Sequence, residues 1–301
     1  MLIEQAFFNL PEILVGAGYA KQDYEAGIVS AFSLAILQEL NGRNAPNPIS
    51  FLCAEKRFLG KNSKLRADIH VKLGKLYSGS RDYSEFGFRF SNWIEAKFFR
   101  LGKGNPPSTQ NLGSVVADLF RLIALVPIER SRDKDGKQTE FTITGRYFLH
   151  AYRGDPMKHL NPKRKKKGAG KRLWVRKLLL PGTRVIHGFE LPKESDTFFD
   201  HLGPALKTAT CKLTITNFKL EPSNPIDKHY YTVVLSRVEA AEFTFNGRTF
   251  TFGTDRKVSC TPEGEFDQLR EDVAKALKTK KESEKESDDA VEDDETEEAK
   301  A

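Results

Sequence analysis

Asn92-Trp93-Ile94-Glu95-Ala96-Lys97-Phe98-Phe99 is apolar and aromatic enough for a buried strand, yet it carries two charges two residues apart at its centre. Successive side chains of a strand alternate between faces, so Glu95 and Lys97 share one side while Ile94, Ala96 and Phe98 share the other. An acid and a base are thereby delivered side by side at the edge of a core. Upstream, Arg66-Ala67-Asp68-Ile69-His70-Val71 alternates in the same way, with Asp68 and His70 on one face and Ala67, Ile69 and Val71 on the other. If the two strands pair, Asp68 meets Glu95 and Lys97.

Before these strands, residues 22–40 read as a helix, because Ile28, Val29, Phe32, Ile36 and Leu40 recur at helical spacing, with Asp23 as N-cap and Gly42 closing it. Glu25 falls on that apolar stripe, where an unpaired carboxylate is costly to bury. A first-turn residue at a solvated edge, favoured by the helix dipole, accounts for it without a function. A Pro/Asn-rich turn, Asn44 to Pro48, leads to an expected strand over 49–55, and residues 74–91 read as an insertion between the Asp68 and Glu95 strands.

Beyond the central strand, the Gly/Pro loop from Gly102 to Ser108 precedes a second amphipathic helix, Thr109 to Leu125. Asp118 and Arg121 sit three apart on it and read either as a surface ion pair or as a pair that orients the helix beneath a site. Residues 130–138 form a charged turn, followed by strand segments at 140–144 and 146–152. Residues 158–177 hold 10 Lys/Arg and no Asp/Glu. Lys163, Arg164, Lys165, Lys166, Lys167, Lys171 and Arg172 form its centre, read as a surface loop for nucleic-acid phosphates or, in a nucleated cell, a localisation signal. From Leu173 the pattern is β-rich, with strands expected at 178–180, 183–189, 211–218 and 230–238, and a hairpin over 242–252 turning at Asn246-Gly247. A last helix is expected over 265–278.

Charge narrows the partners. Residues 279–301 hold 4 Lys/Arg against 11 Asp/Glu, leaving the first 278 residues with 44 basic against 30 acidic groups, a net +14. A strongly basic body favours a polyanion. The tail lacks the apolar residues to fold, so a disordered acidic segment is expected there, free to contact a basic partner or the chain's own basic loop. No apolar run reaches the roughly 18 residues of a membrane span, and the N-terminus lacks the basic region of a secretory signal. Three isolated cysteines, Cys53, Cys211 and Cys260, suggest neither a disulfide framework nor a zinc site. The expectation is a soluble cytoplasmic protein in a reducing compartment, nucleoid-associated if bacterial. Neither a P-loop nor a G-x-S-x-G motif is present.

The combination of Asp68 with Glu95-Ala96-Lys97 on a neighbouring strand resembles the PD-(D/E)xK nuclease superfamily, although Ala67 stands where the proline of the family name would be. The resemblance covers roughly residues 20–150. It implies an α/β fold, a restriction-endonuclease-like mixed sheet flanked by helices over residues 1–153. The basic loop (154–177), a β-rich extension or second domain (178–278) and the acidic tail (279–301) follow. It further implies a Mg²⁺-dependent deoxyribonuclease, with Mn²⁺ as substitute, acting in restriction or phage defence, or in DNA repair or recombination. Asp68 and Glu95 would hold the metal with the Ala96 carbonyl, Glu25 would reach it through water, and Lys97 would position the attacking water. DNA is the implied partner, and a homodimer would supply two sites for two strands. A noncatalytic nucleic-acid-binding protein on the same fold is the alternative.

Overall fold

The computed structural model describes residues 2–16, 24–60, 63–74, 76, 89–100, 108–132, 137–160, 173–189, 191, 194–220 and 231–277. Asp23, most of the 74–91 insertion, nearly all of the 102–108 loop, the basic-loop residues 163–167, 171 and 172, and the tail at 279–301 lie outside them.

The first element, α1 (Leu2–Gly16), is a helix the sequence reading does not anticipate. Leu2, Ile3, Ala6, Phe7, Leu10, Ile13 and Leu14 recur every three or four residues and all are buried, which gives the helix its one apolar stripe. It packs on α2 (Glu25–Gly42), which buries Ile28, Phe32, Ile36 and Leu40 as their spacing requires. A 3-10 turn at Pro48–Phe51 takes the first half of the expected 49–55 strand, leaving β1 as Leu52–Arg57. β2 (Arg66–Lys72) and β3 (Ser91–Phe99) follow. The second amphipathic helix, α3 (Ser108–Phe120), runs on into a π-helical turn at Arg121–Leu125.

β4 (Arg130–Arg132) and β5 (Gln138–Thr142) form a small separate ribbon, so of the two expected segments after the charged turn only β6 (Thr144–Arg153) joins the main sheet. A short helix α4 (Pro156–Leu160) comes next. The expected strand at 178–180 is instead the end of helix α5 (Leu173–Leu179). Trp174, Val175, Leu178 and Leu179 bury one helical face, and an apolar run this short does not distinguish strand from helix by composition. β7 (Gly182–Ile186), α6 (Asp196–Leu202), β8 (Thr210–Leu220), β9 (Tyr231–Phe245), β10 (Arg248–Phe252), β11 (Val258–Thr261) and α7 (Phe266–Ala276) complete the chain.

The main sheet is mixed, open and mostly antiparallel, running β1-β2-β3-β6-β9, with β3 and β6 its parallel pair. β8 lies along one edge of β9 and β7 beyond it, while the opposite edge of β9 pairs first with β6 and then with β10. The β6–β9 ladder therefore carries the C-terminal strands as an extension of the first sheet. Asn246 and Gly247 both adopt positive φ, 49° and 74°, in the two-residue turn that joins β9 to β10.

Helices cover both faces. α1 and α2 pack with Ile69, Val71, Ile94, Ala96, Tyr147 and Leu149 on one side; α3, its π turn, α5, α6 and α7 pack with Trp93, Phe99, Phe148, Tyr152 and Phe243 on the other. Among the described residues no helix is long and apolar enough to cross a membrane.

α3 approaches α6 so closely at Gly113 that a Cβ there would collide with the Phe198 carbonyl. Gly113→Ala is expected to lower unfolding free energy by about 1–3 kcal/mol in urea titration, as overpacking of a close contact does.

Candidate active site where two strands part

The ladder between β2 and β3 runs from Lys72–Ser91 through His70–Trp93 to Ile69–Ile94 and ends there. The next facing positions are Asp68 and Glu95. Here β2 continues with β1 alone, pairing Ala67 with Lys56, while β3 continues with β6 through Glu95–Phe148 and Lys97–His150. Ala96 N–H faces the gap and donates to Asp68 Oδ2 at 2.7 Å, so a side-chain carboxylate takes the place of a strand carbonyl. The N–H and C=O of one strand residue face the same edge, which turns the Ala96 carbonyl toward Asp68 as well.

Alternation along β3 follows the sequence. Ile94 and Ala96 lie in the core under α1 and α2, whereas Trp93 and Phe99 lie in the core under α3, and Glu95 and Lys97 share their face. Ala67 departs from the expected pattern: Ile69 and Val71 lie on the α1/α2 side, but Ala67 joins the α3 core at the point where the strands separate. Glu95 is fully buried, whereas the Lys97 side chain is 21% exposed and that of Glu25 26%. The site thus runs from a dry floor to a solvated mouth. Glu25, the first residue of α2, places Oε2 3.3 Å from Lys97 Nζ, so it is both a first-turn carboxylate and a member of the site.

Asp118 and Arg121 do pair, but not on the surface: they are 1% and 4% exposed. Burial works against the charge on Arg121, yet the carboxylates of Asp118, Glu95, Asp68 and Glu25 outweigh it and hold the guanidinium above its ordinary pKa. Arg121 opens the π turn, a geometry that frees backbone groups from the regular helical ladder. Two arginines from other elements bind that turn. Arg146 Nε donates to Leu122 O at 2.9 Å, and Arg270 Nε donates to Leu125 O at 3.1 Å while its Nη2 reaches Phe58 O at 2.6 Å. Arg146 is fully buried against the Phe252 ring, 4.4 Å from its centroid, and burial together with Arg89 pulls its pKa down to about 9.

Four carboxylates (Glu25, Asp68, Glu95, Asp118) gather around two cations (Lys97, Arg121), a formal charge of −2. Among the described residues no three His, Cys, Asp or Glu side chains form a ready-made metal cage. Asp68 Oδ2 lies in the strand gap on the Ala96 N–H, and Glu95 occupies the facing position on β3.

His70 stays at the core edge. Its ring lies 4.6 Å from that of Trp93, and its Nε2 is 3.1 Å from Ser91 Oγ, which itself donates to Glu129 at 2.6 Å. The serine proton is thereby committed to Glu129, so His70 Nε2–H donates to Ser91. Burial brings its pKa to about 4 against the opposing pull of Glu129. His150, beside Lys97 on β6, is held likewise. Ser236 Oγ donates to Asn217 Oδ1 at 2.7 Å and so accepts from His150 Nε2–H at 3.1 Å, while Tyr152 O–H donates to Nδ1 at 2.7 Å. Burial alone depresses this imidazole to about 3.

The structure therefore brings Asp68, Glu95, Lys97 and Glu25 to one place. Lys163, Arg164, Lys165, Lys166, Lys167, Lys171 and Arg172 lie outside the described residues. The spacing of Asp118 and Arg121 leaves open both a surface pair and a pair beneath a site; the signal that separates them is the setting, Leu119-Phe120-Arg121-Leu122-Ile123, a run with no polar face to carry a surface charge. Comparison with protein-family models, with curated proteins and with solved structures returns no match.

Removing Arg121 leaves Asp118 buried without its guanidinium, so Arg121→Met is expected to cost about 3–5 kcal/mol in urea unfolding. Arg66→Ala, which breaks the exposed pair with Glu55, is expected to cost under ~1 kcal/mol. Acid has a separate effect. Below pH 6.5 the unfolded chain protonates both histidines while the folded chain does not until about pH 4 for His70 and 3 for His150. Stability present above pH 6.5 is therefore lost as pH falls, by up to about 1.4 kcal/mol per pH unit per histidine. Urea midpoints measured between pH 7 and 5 should decline, and decline less steeply in His150→Gln.

Proposed function

We propose that this protein is a Mg²⁺-dependent deoxyribonuclease whose α2-β1-β2-β3-α3-β6 segment is a restriction-endonuclease-like core. The observation that carries the reading is the parting of β2 from β3, with Asp68 on the Ala96 N–H, Glu95 buried beside it and Lys97 on the same face toward solvent.

The donor set fits the metal. Mg²⁺ takes oxygen ligands, binds through one or two carboxylates and completes its shell with water and substrate phosphate, so a full protein cage is not required. Asp68, Glu95 and the Ala96 carbonyl would hold it, with Glu25 acting through water, and the cluster's formal −2 matches one divalent ion. When bound, the ion would lower the pKa of a water and offset charge on the phosphate. The Lys97 ammonium, positioned by Glu25, orients the attacking water and stabilises negative charge developing on the phosphate. Burial of Glu95 keeps water from screening these interactions. Arg121 orders the carboxylates from beneath and does not reach the substrate.

The +14 body supports a polyanionic substrate, and the basic residues at 163–172 would add phosphate contacts. A homodimer would provide two sites for duplex cleavage. Restriction or phage defence is the first role this activity suits, DNA repair or recombination the second. A noncatalytic nucleic-acid-binding protein on the same fold is the second reading, favoured by Lys97 and Arg121 already countering half of the cluster's charge.

Incubation of supercoiled and linear DNA with Mg²⁺ tests the proposal. Asp68→Asn, Glu95→Gln and Lys97→Ala, matched for folding by circular dichroism, are expected to cut at least about 10²-fold more slowly than wild type. Wild-type protein that binds DNA but cuts with neither Mg²⁺ nor Mn²⁺ would transfer the conclusion to the binding reading.

A further inference from the structure

Tyr24 occupies the N-cap of α2 in extended geometry (φ −129°, ψ 150°) and its side chain makes no capping hydrogen bond. Helix N-caps favour Ser, Thr, Asp and Asn, whose oxygens satisfy the first free N–H groups. The Tyr24 side chain supplies no such oxygen; only its backbone carbonyl serves the helix, accepting from Gly27 N–H at 3.0 Å. Tyr24 is also 65% exposed, although most aromatic residues of this chain are packed in its two cores. Arg100, the residue that follows β3, holds its Cζ 5.5 Å from the Tyr24 ring centroid. An exposed cation–π pair of this kind stabilises a fold only slightly.

Its location is more informative. Tyr24 immediately precedes Glu25, and Arg100 lies three residues after Lys97, the two residues that form the ion pair at the mouth of the site. The ring and the guanidinium therefore join the start of α2 to the end of β3 beside the solvated side of the proposed chemistry. Together they present an accessible π surface and a cation with planar N–H donors. A nucleotide has the complementary parts: a base that stacks on an aromatic ring and a phosphate that pairs with a guanidinium.

We propose that Tyr24 and Arg100 form a nucleotide clamp, and that the substrate is DNA presenting an unpaired nucleotide at the site. In a continuous duplex each base has both faces covered by its neighbours, so none is available to Tyr24. A single strand, a flap or a frayed end exposes such a face. The clamp holds the base on Tyr24 and an adjacent phosphate on Arg100, and so sets the strand across Lys97 and Glu95. This inference rests on the nuclease reading and supplies its substrate class.

The test is fluorescence anisotropy with Ca²⁺ replacing Mg²⁺, using a labelled single strand, a flapped duplex and a blunt duplex of one sequence, with Mg²⁺ cleavage of the same DNAs alongside. Wild type should bind the single strand and the flap more tightly than the blunt duplex. Tyr24→Leu should lose about 5- to 100-fold on the first two and little on the third, while Tyr24→Trp retains binding, which a purely structural role for the ring would not require. Arg100→Gln should weaken binding to all three and lower the salt slope by about one. Tyr24→Leu that binds every DNA as wild type does, or loses equally on all three, overturns the clamp while wild-type cleavage leaves the nuclease reading standing. Wild-type protein that neither binds nor cuts any of the three overturns both.

Discussion

The hydrogen bond from Ala96 N–H to Asp68 marks where a β-ladder ends and a site can begin. A strand edge inside a protein cannot leave its N–H groups without acceptors, so separating β2 from β3 requires a substitute for the missing carbonyls. Asp68 supplies one from its side chain. That exchange keeps a carboxylate at the gap, opposite Glu95, and holds the two strands apart without breaking the sheet, because β1 supports β2 and β6 supports β3. The charge this concentrates is counterbalanced from below by Arg121, which the π turn presents at the floor of the site. Arg146 and Arg270 fix that turn from β6 and α7, so two elements more than a hundred residues apart in sequence position one guanidinium.

Much of this geometry is legible in the sequence where a two-residue period coincides with charge. The alternation in 92–99 places Glu95 and Lys97 on one face without any tertiary information, and the Asp68 strand follows the same rule through Ile69 and Val71 but not at Ala67, where the strands separate. Asn246-Gly247 announces its hairpin because few residue pairs accept two positive φ angles in succession. Other features depend on contacts that a period cannot express. α1 has a readable stripe, but Pro11 interrupts it, and proline inside a helix ordinarily argues against one. α5 and the strand expected at 178–180 differ only in which neighbours receive Leu178 and Leu179. The surface reading of Asp118 and Arg121 fails because spacing reports that two side chains can meet, not whether water reaches them.

The site is graded in polarity. Glu95 sits in a dry interior where charges interact strongly, while Lys97 and Glu25 face a solvated mouth. His150 and His70, each neutral and hydrogen-bonded, line the neighbouring strands without adding charge to the cluster. The titratable chemistry is thereby confined to the carboxylates and the two cations. Beside them, Tyr24 and Arg100 join the same two elements, α2 and β3, that carry Glu25 and Lys97.

Anomalous diffraction from crystals of the protein soaked in Mn²⁺ shows where a divalent ion is held. A peak is expected in the β2–β3 gap, bonded to carboxylate oxygens of Asp68 and Glu95 and to the Ala96 carbonyl at about 2.0–2.2 Å, and lost in Asp68→Asn. A fully soaked crystal with no peak in that gap, and the Lys97–Glu25 pair unchanged, would contradict the metal site.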